Sequence, residues 1–203
     1  MKENSNYSKL QKIFKTNGGY ITRKEVDSNK ISSWFLSYFV KKMNLKKIAP
    51  GFYADDNYVI DNYFIIQKRY PKYIYSGLSA LYLLGLTDKI PNIMEVSAPQ
   101  NYHPSRNKMN SFAIRKISNE KIYVLGIKEE KTMFGNVVKT YDAERTICDL
   151  VKNREKYDGE TFIKALKLYT RKINNQTKLF KYSKELGIEK KVYDVMEVIT
   201  NED

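Results

Sequence analysis

Six cations in the first quarter of the chain, Arg23, Lys24, Lys41, Lys42, Lys46 and Lys47, are interleaved with the hydroxyls of Ser33, Ser37 and Tyr38. These residue types contact duplex DNA. Lys and Arg neutralise phosphates and release counterions, while hydroxyls and side chains on one exposed helix reach phosphates and base edges. Each residue alone reads more simply as a solvated side chain. Their order along the chain carries the argument.

A second set lies in Tyr141-Asp142-Ala143-Glu144-Arg145-Thr146-Ile147-Cys148-Asp149-Leu150. Asp142 has the position of a helix N-cap, and Arg145 and Asp149 stand at i and i+4, where they share a face and can pair. A capped helix with an internal ion pair explains these residues, and a binding role for Tyr141, Asp142, Glu144, Arg145 and Asp149 is the alternative.

Catalytic constellations are scarce. The sequence has no glycine-rich phosphate loop and no Cys/His metal spacing. His103, in Asn101-Tyr102-His103-Pro104, is the one histidine, so any Ser-His or Cys-His dyad would have to use it, and an exposed loop histidine is the simpler reading. Asp55 and Asp56 are adjacent, so their side chains diverge, whereas two-metal chemistry needs convergent carboxylates. Glu129 and Lys131 form an E-x-K fragment that a nuclease could use and that a Lys/Glu-rich chain also yields by chance. The expectation is no catalytic residue, no metal and no cofactor, with a nuclease-like DNA-processing enzyme as the alternative.

The elements that must position the basic set follow from periodicity. Leu10, Ile13 and Phe14 predict a helix stopping at Gly18-Gly19. Thr22 and Glu25 have the spacing of a capping box, opening a second helix to about Asn29. Lys30-Ile31 is the turn, and Ser32 or Ser33 caps a third helix reaching about Met43. Its apolar face is Phe35, Leu36, Phe39, Val40 and Met43; the opposite face offers Ser33, Trp34, Ser37, Tyr38, Lys41 and Lys42. Trp34 could instead pack on the second helix. Leu45–Ile48 and Phe52–Ala54 read as strands around the turn Ala49-Pro50-Gly51. Three helices and a basic hairpin predict a winged helix-turn-helix over residues 1–57, with Ser33, Ser37, Tyr38 and Lys41 toward the groove and Arg23, Lys24, Lys46 and Lys47 on phosphates.

Residues 58–203 predict a mixed α+β domain with a helical C-terminal tail. Asp61 caps a helix ended by Pro71, and Ser76 caps another over Gly77–Leu84 closed by Gly85. Strands are expected at Ile93–Ala98, Phe112–Ile117, Ile122–Leu125 and Asn136–Tyr141, with a Gly-Asn turn in Met133–Asn136. Helices follow at Asp142–Lys152, Thr161–Ile173, Thr177–Leu186 and Glu189–Thr200. The fold class is α+β.

Bulk composition bounds the partners. A formal net charge of +13 over 203 residues points to a polyanion, although abundant Lys, Asn, Ile and Tyr is also what an AT-rich genome produces. Residues 1–57 hold 11 of the 36 basic and 5 of the 23 acidic residues, a net of +6. The rest carries +7 over a segment more than twice as long, so the basic density peaks at the N-terminus. The single Cys148 excludes an intrachain disulfide framework. The start Met1-Lys2-Glu3-Asn4 has no apolar leader core, and Ala80–Leu86 is too short to span a bilayer, so a cytoplasmic protein without a membrane partner is expected.

These segments together resemble the AbiEi family, antitoxins of AbiE abortive-infection systems that protect bacteria against phage. The resemblance covers nearly the whole chain. It rests on Tyr20-Ile21-Thr22, on Pro50-Gly51-Phe52-Tyr53, on Ser76-Gly77-Leu78-Ser79-Ala80-Leu81-Tyr82 running to Gly85-Leu86, and on Tyr141–Thr146 followed by Cys148-Asp149-Leu150. The chain departs from relatives at Pro50, where they carry a basic residue, and at Gly77, where a histidine is common. The resemblance implies a transcriptional autorepressor whose winged helix binds promoter inverted repeats of its own operon. It implies a C-terminal domain that counteracts a nucleotidyltransferase-like toxin without a stable complex. A monomer in solution that pairs on DNA is the expected oligomeric behaviour.

Overall fold

The computed structural model describes residues 2–103 and 112–201, in two compact units, Met1–Ile65 and Ile66–Asp203. The division falls between Ile65 and Ile66, inside a helix, rather than at residue 57. Asp61 begins that helix by accepting from Phe64 N–H, so the polar Asp55-Asp56-Asn57 turn belongs within the first unit.

In the first unit, helix α1 (Lys2–Thr16) leads through Gly18 and Gly19, both at positive φ, into strand β1 (Tyr20–Thr22). Thr22 then caps helix α2 (Arg23–Ser28): its hydroxyl accepts from Glu25 N–H, and the Glu25 carboxylate accepts from Thr22 N–H. This reciprocal box satisfies two of the helix's orphan donors. Lys30 turns the chain at φ 56°, and Ser32 caps helix α3 (Ser33–Lys42) by accepting from Phe35 N–H. Strands β2 (Lys46–Ala49) and β3 (Phe52–Ala54) form a hairpin closed by Gly51 at φ 71°, and β3 also pairs with β1, giving an antiparallel sheet of order β1-β3-β2. Leu10, Phe14, Ile21, Val26, Ile31, Phe35, Leu36, Phe39 and Leu45 fill the core between helices and sheet.

In the second unit the chain runs through helix α4 (Asn62–Arg69, which begins in the first), strand β4 (Ile74–Tyr75), helix α5 (Gly77–Leu83), strands β5 (Met94–Pro99) and β6 (Phe112–Ile117), and helix α6 (Glu120–Val124). Strands β7 (Ile127–Lys131) and β8 (Val137–Tyr141) come next, then helices α7 (Ala143–Lys152), α8 (Gly159–Lys172), α9 (Gln176–Glu185) and α10 (Glu189–Asn201). The strands make a mixed sheet of order β6-β5-β4-β8-β7, with β5/β6 and β4/β8 parallel. The four last helices pack their apolar stripes around Ile147, Leu150, Leu166, Tyr169, Leu179 and Val192. The class is therefore α+β.

Two expectations are corrected. Residues 122–125 lie in and just after α6, not in a strand, because Asn119 accepts from Ile122 N–H and starts a turn that overrides the β-branched composition. The strand of that region is β7, whose Ile-Lys-Glu-Glu-Lys lacks an apolar alternation because it is a charged sheet edge paired only to β8. Ser76 occupies the N-cap position of α5, yet its side chain makes no capping bond. No helix among the described residues is long and apolar enough to cross a membrane.

Candidate nucleic-acid interface and the buried motif of the second unit

The two faces of α3 separate cleanly. Phe35, Leu36 and Phe39 are buried, with Val40 and Met43 packed at the margin, while Ser33, Trp34, Ser37, Tyr38, Lys41 and Lys42 are exposed. Trp34 is 64% exposed and stacks on Tyr38 at 5.9 Å with an interplanar angle of 6°. The alternative of packing on α2 is thereby set aside: the indole lies outside the core. Lys42 Nζ stands 4.3 Å from the Tyr7 ring centroid and 5.7 Å from that of Tyr38, so an aromatic step holds its charge near the helix C-terminus. Ser37 Oγ donates to the Ser33 carbonyl one turn back and keeps its acceptor capacity outward.

The phosphate candidates divide into two kinds. Arg23 Nε pairs with Asp27 at 2.8 Å, and Lys46 Nζ pairs with Asp56 at 2.8 Å. Lys24 and Lys47 are exposed and make no ion pair among the described residues. All four pairing side chains are about half exposed or more, so a phosphate can compete for the cations at little cost. Arg23 also belongs to the hairpin, since its N–H donates to the Gly51 carbonyl at 2.7 Å. That bond ties the start of α2 to the tip of β2/β3.

The other motif is interior. Tyr141, Asp142, Glu144, Arg145 and Asp149 are all buried. Asp142 caps α7 through Oδ1, while its Oδ2 accepts from Tyr182 Oη at 3.2 Å and pairs with Lys178 Nζ at 2.9 Å. Lys178 also reaches Glu144 at 3.1 Å; burial works against its charge, but the two carboxylates raise its pKa above the ordinary lysine value. Arg145, 1% exposed, donates Nη1 to the Ile122 and Leu125 carbonyls and Nε to Asp149, with its guanidinium 4.4 Å from the Tyr141 ring centroid. The five residues fasten α7 to α6 and α9.

Sequence reasoning missed two members of this constellation. Arg115, on β6, donates Nη2 to the same Asp149 oxygen and Nε to Ser97 Oγ at 3.2 Å. Glu95, on β5, sits over the start of α5, where its carboxylate accepts from Leu78 N–H and from Tyr157 Oη at 3.3 Å. It substitutes for the silent Ser76 cap. Gly77 makes this possible: at φ 53° it has no side chain, and a Cβ there would stand 1.8 Å from Glu95 Oε2. Strand alternation could have grouped Glu95 with Ser97, but the bond from Arg115 to Ser97 depends on a β5/β6 register that no local signal encodes.

The E-x-K fragment lies on the charged edge strand β7. Glu129 and Lys131 are exposed on β7, where Glu129 faces Lys139 across the ladder, and no group of three or more His, Cys, Asp or Glu among the described residues could hold a metal. His103 is exposed, and Pro104 lies outside the described residues.

The architecture defines a mixed α+β protein. No family model matches the chain, and no curated protein sequence matches it. Among solved structures it is similar to the crystal structure of the RV2827C protein from Mycobacterium tuberculosis, with a TM-score of 0.60 and 8% identity, over 96% of this chain and 77% of that one. At that identity the likeness is one of fold.

Proposed function

We propose that the chain is a duplex-DNA-binding transcriptional autorepressor of the AbiEi antitoxin kind, whose first unit is a winged helix. The carrying observation is α3: its buried side is satisfied entirely within the unit, while Ser33, Trp34, Ser37, Tyr38, Lys41 and Lys42 form a continuous exposed face, followed by a hairpin bearing Lys46 and Lys47. An exposed helix with flanking cations meets the steric and electrostatic demands of a major groove.

The chemistry of α3 narrows the readout. The helix contains no Arg, Asn or Gln, the side chains that grip guanine or adenine edges in bidentate fashion. Lys41 remains for guanine acceptors. The stacked Trp34–Tyr38 pair offers an apolar surface suited to thymine methyl groups. The preferred site is therefore rich in thymine, arranged as an inverted repeat that two protomers occupy.

The second unit, on this reading, counteracts a nucleotidyltransferase-like toxin without a stable complex. The support is the resemblance in the Ser76–Leu86 and Tyr141–Leu150 segments, the second of which buries Asp142, Glu144, Arg145 and Asp149. A genetic experiment tests both halves. The full chain should repress a reporter driven by the DNA upstream of its gene and restore growth to cells expressing the neighbouring toxin. Repression should fail in Lys41→Glu/Lys47→Glu while growth rescue persists. Unchanged repression in that variant removes the DNA assignment.

A further inference from the structure

The second unit contains a cavity of about 430 Å³ lined by polar groups of opposite charge, among them Glu95, Arg115, Asn153, Lys156 and Tyr157. Its origin is the parallel register of β5 and β6, which sets Glu95 opposite Ala113 and Ser97 opposite Arg115. Residues two apart on a strand share a face, so these four side chains stand together. The Glu95 carboxylate takes the place a side chain at Gly77 would fill, Ala113 adds little bulk, and Glu95 and Arg115 line the same open space. The volume falls within the range of small-molecule sites, well above what one inorganic ion fills.

Charge balance selects the occupant. Among the charged side chains that line the cavity, Arg115 brings one positive charge. Lys156 adds another at the rim, and Glu95 removes one. The net is a single positive charge. Arg115 uses Nε and Nη2 on Ser97 and Asp149, and its Nη1 makes no hydrogen bond among the described residues. Glu95 accepts from Leu78 N–H and Tyr157 Oη, and a carboxylate has lone pairs for further donors.

We propose that this cavity binds a small organic anion that also carries hydroxyl or amino donors, its acid group on Arg115 and Lys156 and its donors on Glu95. The acid group is a carboxylate or a phosphate monoester, and the guanidinium fork fits either. The site is independent of the DNA-binding reading, because every residue in it belongs to the second unit.

Isothermal titration of the full chain with gluconate, glucose 6-phosphate, AMP and inorganic phosphate tests this. The expected result is saturable one-to-one binding of at least one organic probe, with gluconate against the two phosphate esters separating the acid types. Ala113→Leu, which fills the space without altering charge, and Glu95→Gln, which keeps shape but removes the carboxylate, should each weaken that probe by about tenfold or more. Glu95→Gln should leave inorganic phosphate as weak as before or strengthen it. Circular dichroism of both variants shows that they fold, so a loss reports on the site. Absence of saturable binding by all three organic probes, or binding that both variants leave unchanged, overturns the proposal.

Discussion

Arg145 Nε donates to Asp149 Oδ2 at 3.2 Å one helical turn away, and Arg115 from the sheet reaches the same oxygen. A buried carboxylate thus joins α7 to β6. Its partner Arg145 is almost wholly buried. Removing one member of such a network leaves the others desolvated and unpaired. Arg145→Met should destabilise the protein by about 3–5 kcal/mol in urea titration. Arg115→Met should cost less, since Arg145 still holds Asp149. Equal losses would contradict this ranking.

The capping box of α2 makes a smaller and separable contribution. Thr22→Ala removes the acceptor for Glu25 N–H at the point where the chain enters α2. A loss of about 1 kcal/mol is expected, with Thr22→Ser recovering most of it. Failure of serine to rescue would assign the effect to β1 packing.

Glu95 has its pKa raised above the ordinary 4.5, chiefly by burial, with the Leu78 N–H and Tyr157 bonds working in the opposite sense. The folded state therefore holds this proton more tightly than the unfolded one. The stabilisation is complete below about 4.5 and fades as pH rises through the folded value. Glu95→Gln cannot lose a proton and lacks this slope. Across that window the stability of the natural chain relative to the variant should fall with rising pH. A relative stability that grows with pH would show that the helix-start contacts outweigh burial.

Cys148 is wholly buried and its thiol is pushed up to about 12, first by burial and then by Asp149. The native chain should leave a disulfide reagent unreacted at about pH 8 and consume one equivalent on unfolding. Fast labelling of the native protein would mean that α7 and α9 open readily.

Thymine readout by Trp34 and Tyr38 has its own test. Replacing thymine by uracil in a duplex selected by the full chain deletes only methyl groups, and each buried methyl is worth about 0.8 kcal/mol, roughly fourfold in affinity. The natural chain should bind the uracil duplex several-fold more weakly, and Trp34→Ala should lose most of that difference. Specific binding indifferent to the substitution would leave DNA recognition standing and reject the methyl contact.

The first unit was legible because its signals are local. The Thr22/Glu25 box, the Gly18-Gly19 stop, the Ser32 cap and the period of Phe35, Leu36 and Phe39 are short-range patterns, and each corresponds to an observed element. The second unit resisted where the outcome depended on pairing between distant segments. Ile-Tyr-Val at 122–124 has strand composition but follows an Asn119 cap, and the charged β7 is a strand only because β8 lies beside it. Arg145–Asp149 could be read from i, i+4 spacing, whereas Arg115 and Glu95 joined the site through a parallel register and the bare backbone of Gly77.

The central claim, specific duplex recognition by the first unit, is tested most directly by a salt titration of full-chain binding. A duplex selected from a random pool is compared with its scrambled counterpart, for the natural chain and for Lys47→Ala. The account predicts at least a hundredfold or so preference for the selected duplex, in the sense that specific complexes exceed non-specific ones by orders of magnitude. It also predicts a steep loss of affinity with salt, whose slope falls by about one unit in Lys47→Ala and by less in Lys46→Ala, where Asp56 already shares the charge. Equal affinity for both duplexes, with a slope that neither lysine changes, would contradict it and make the +13 charge a property of composition alone.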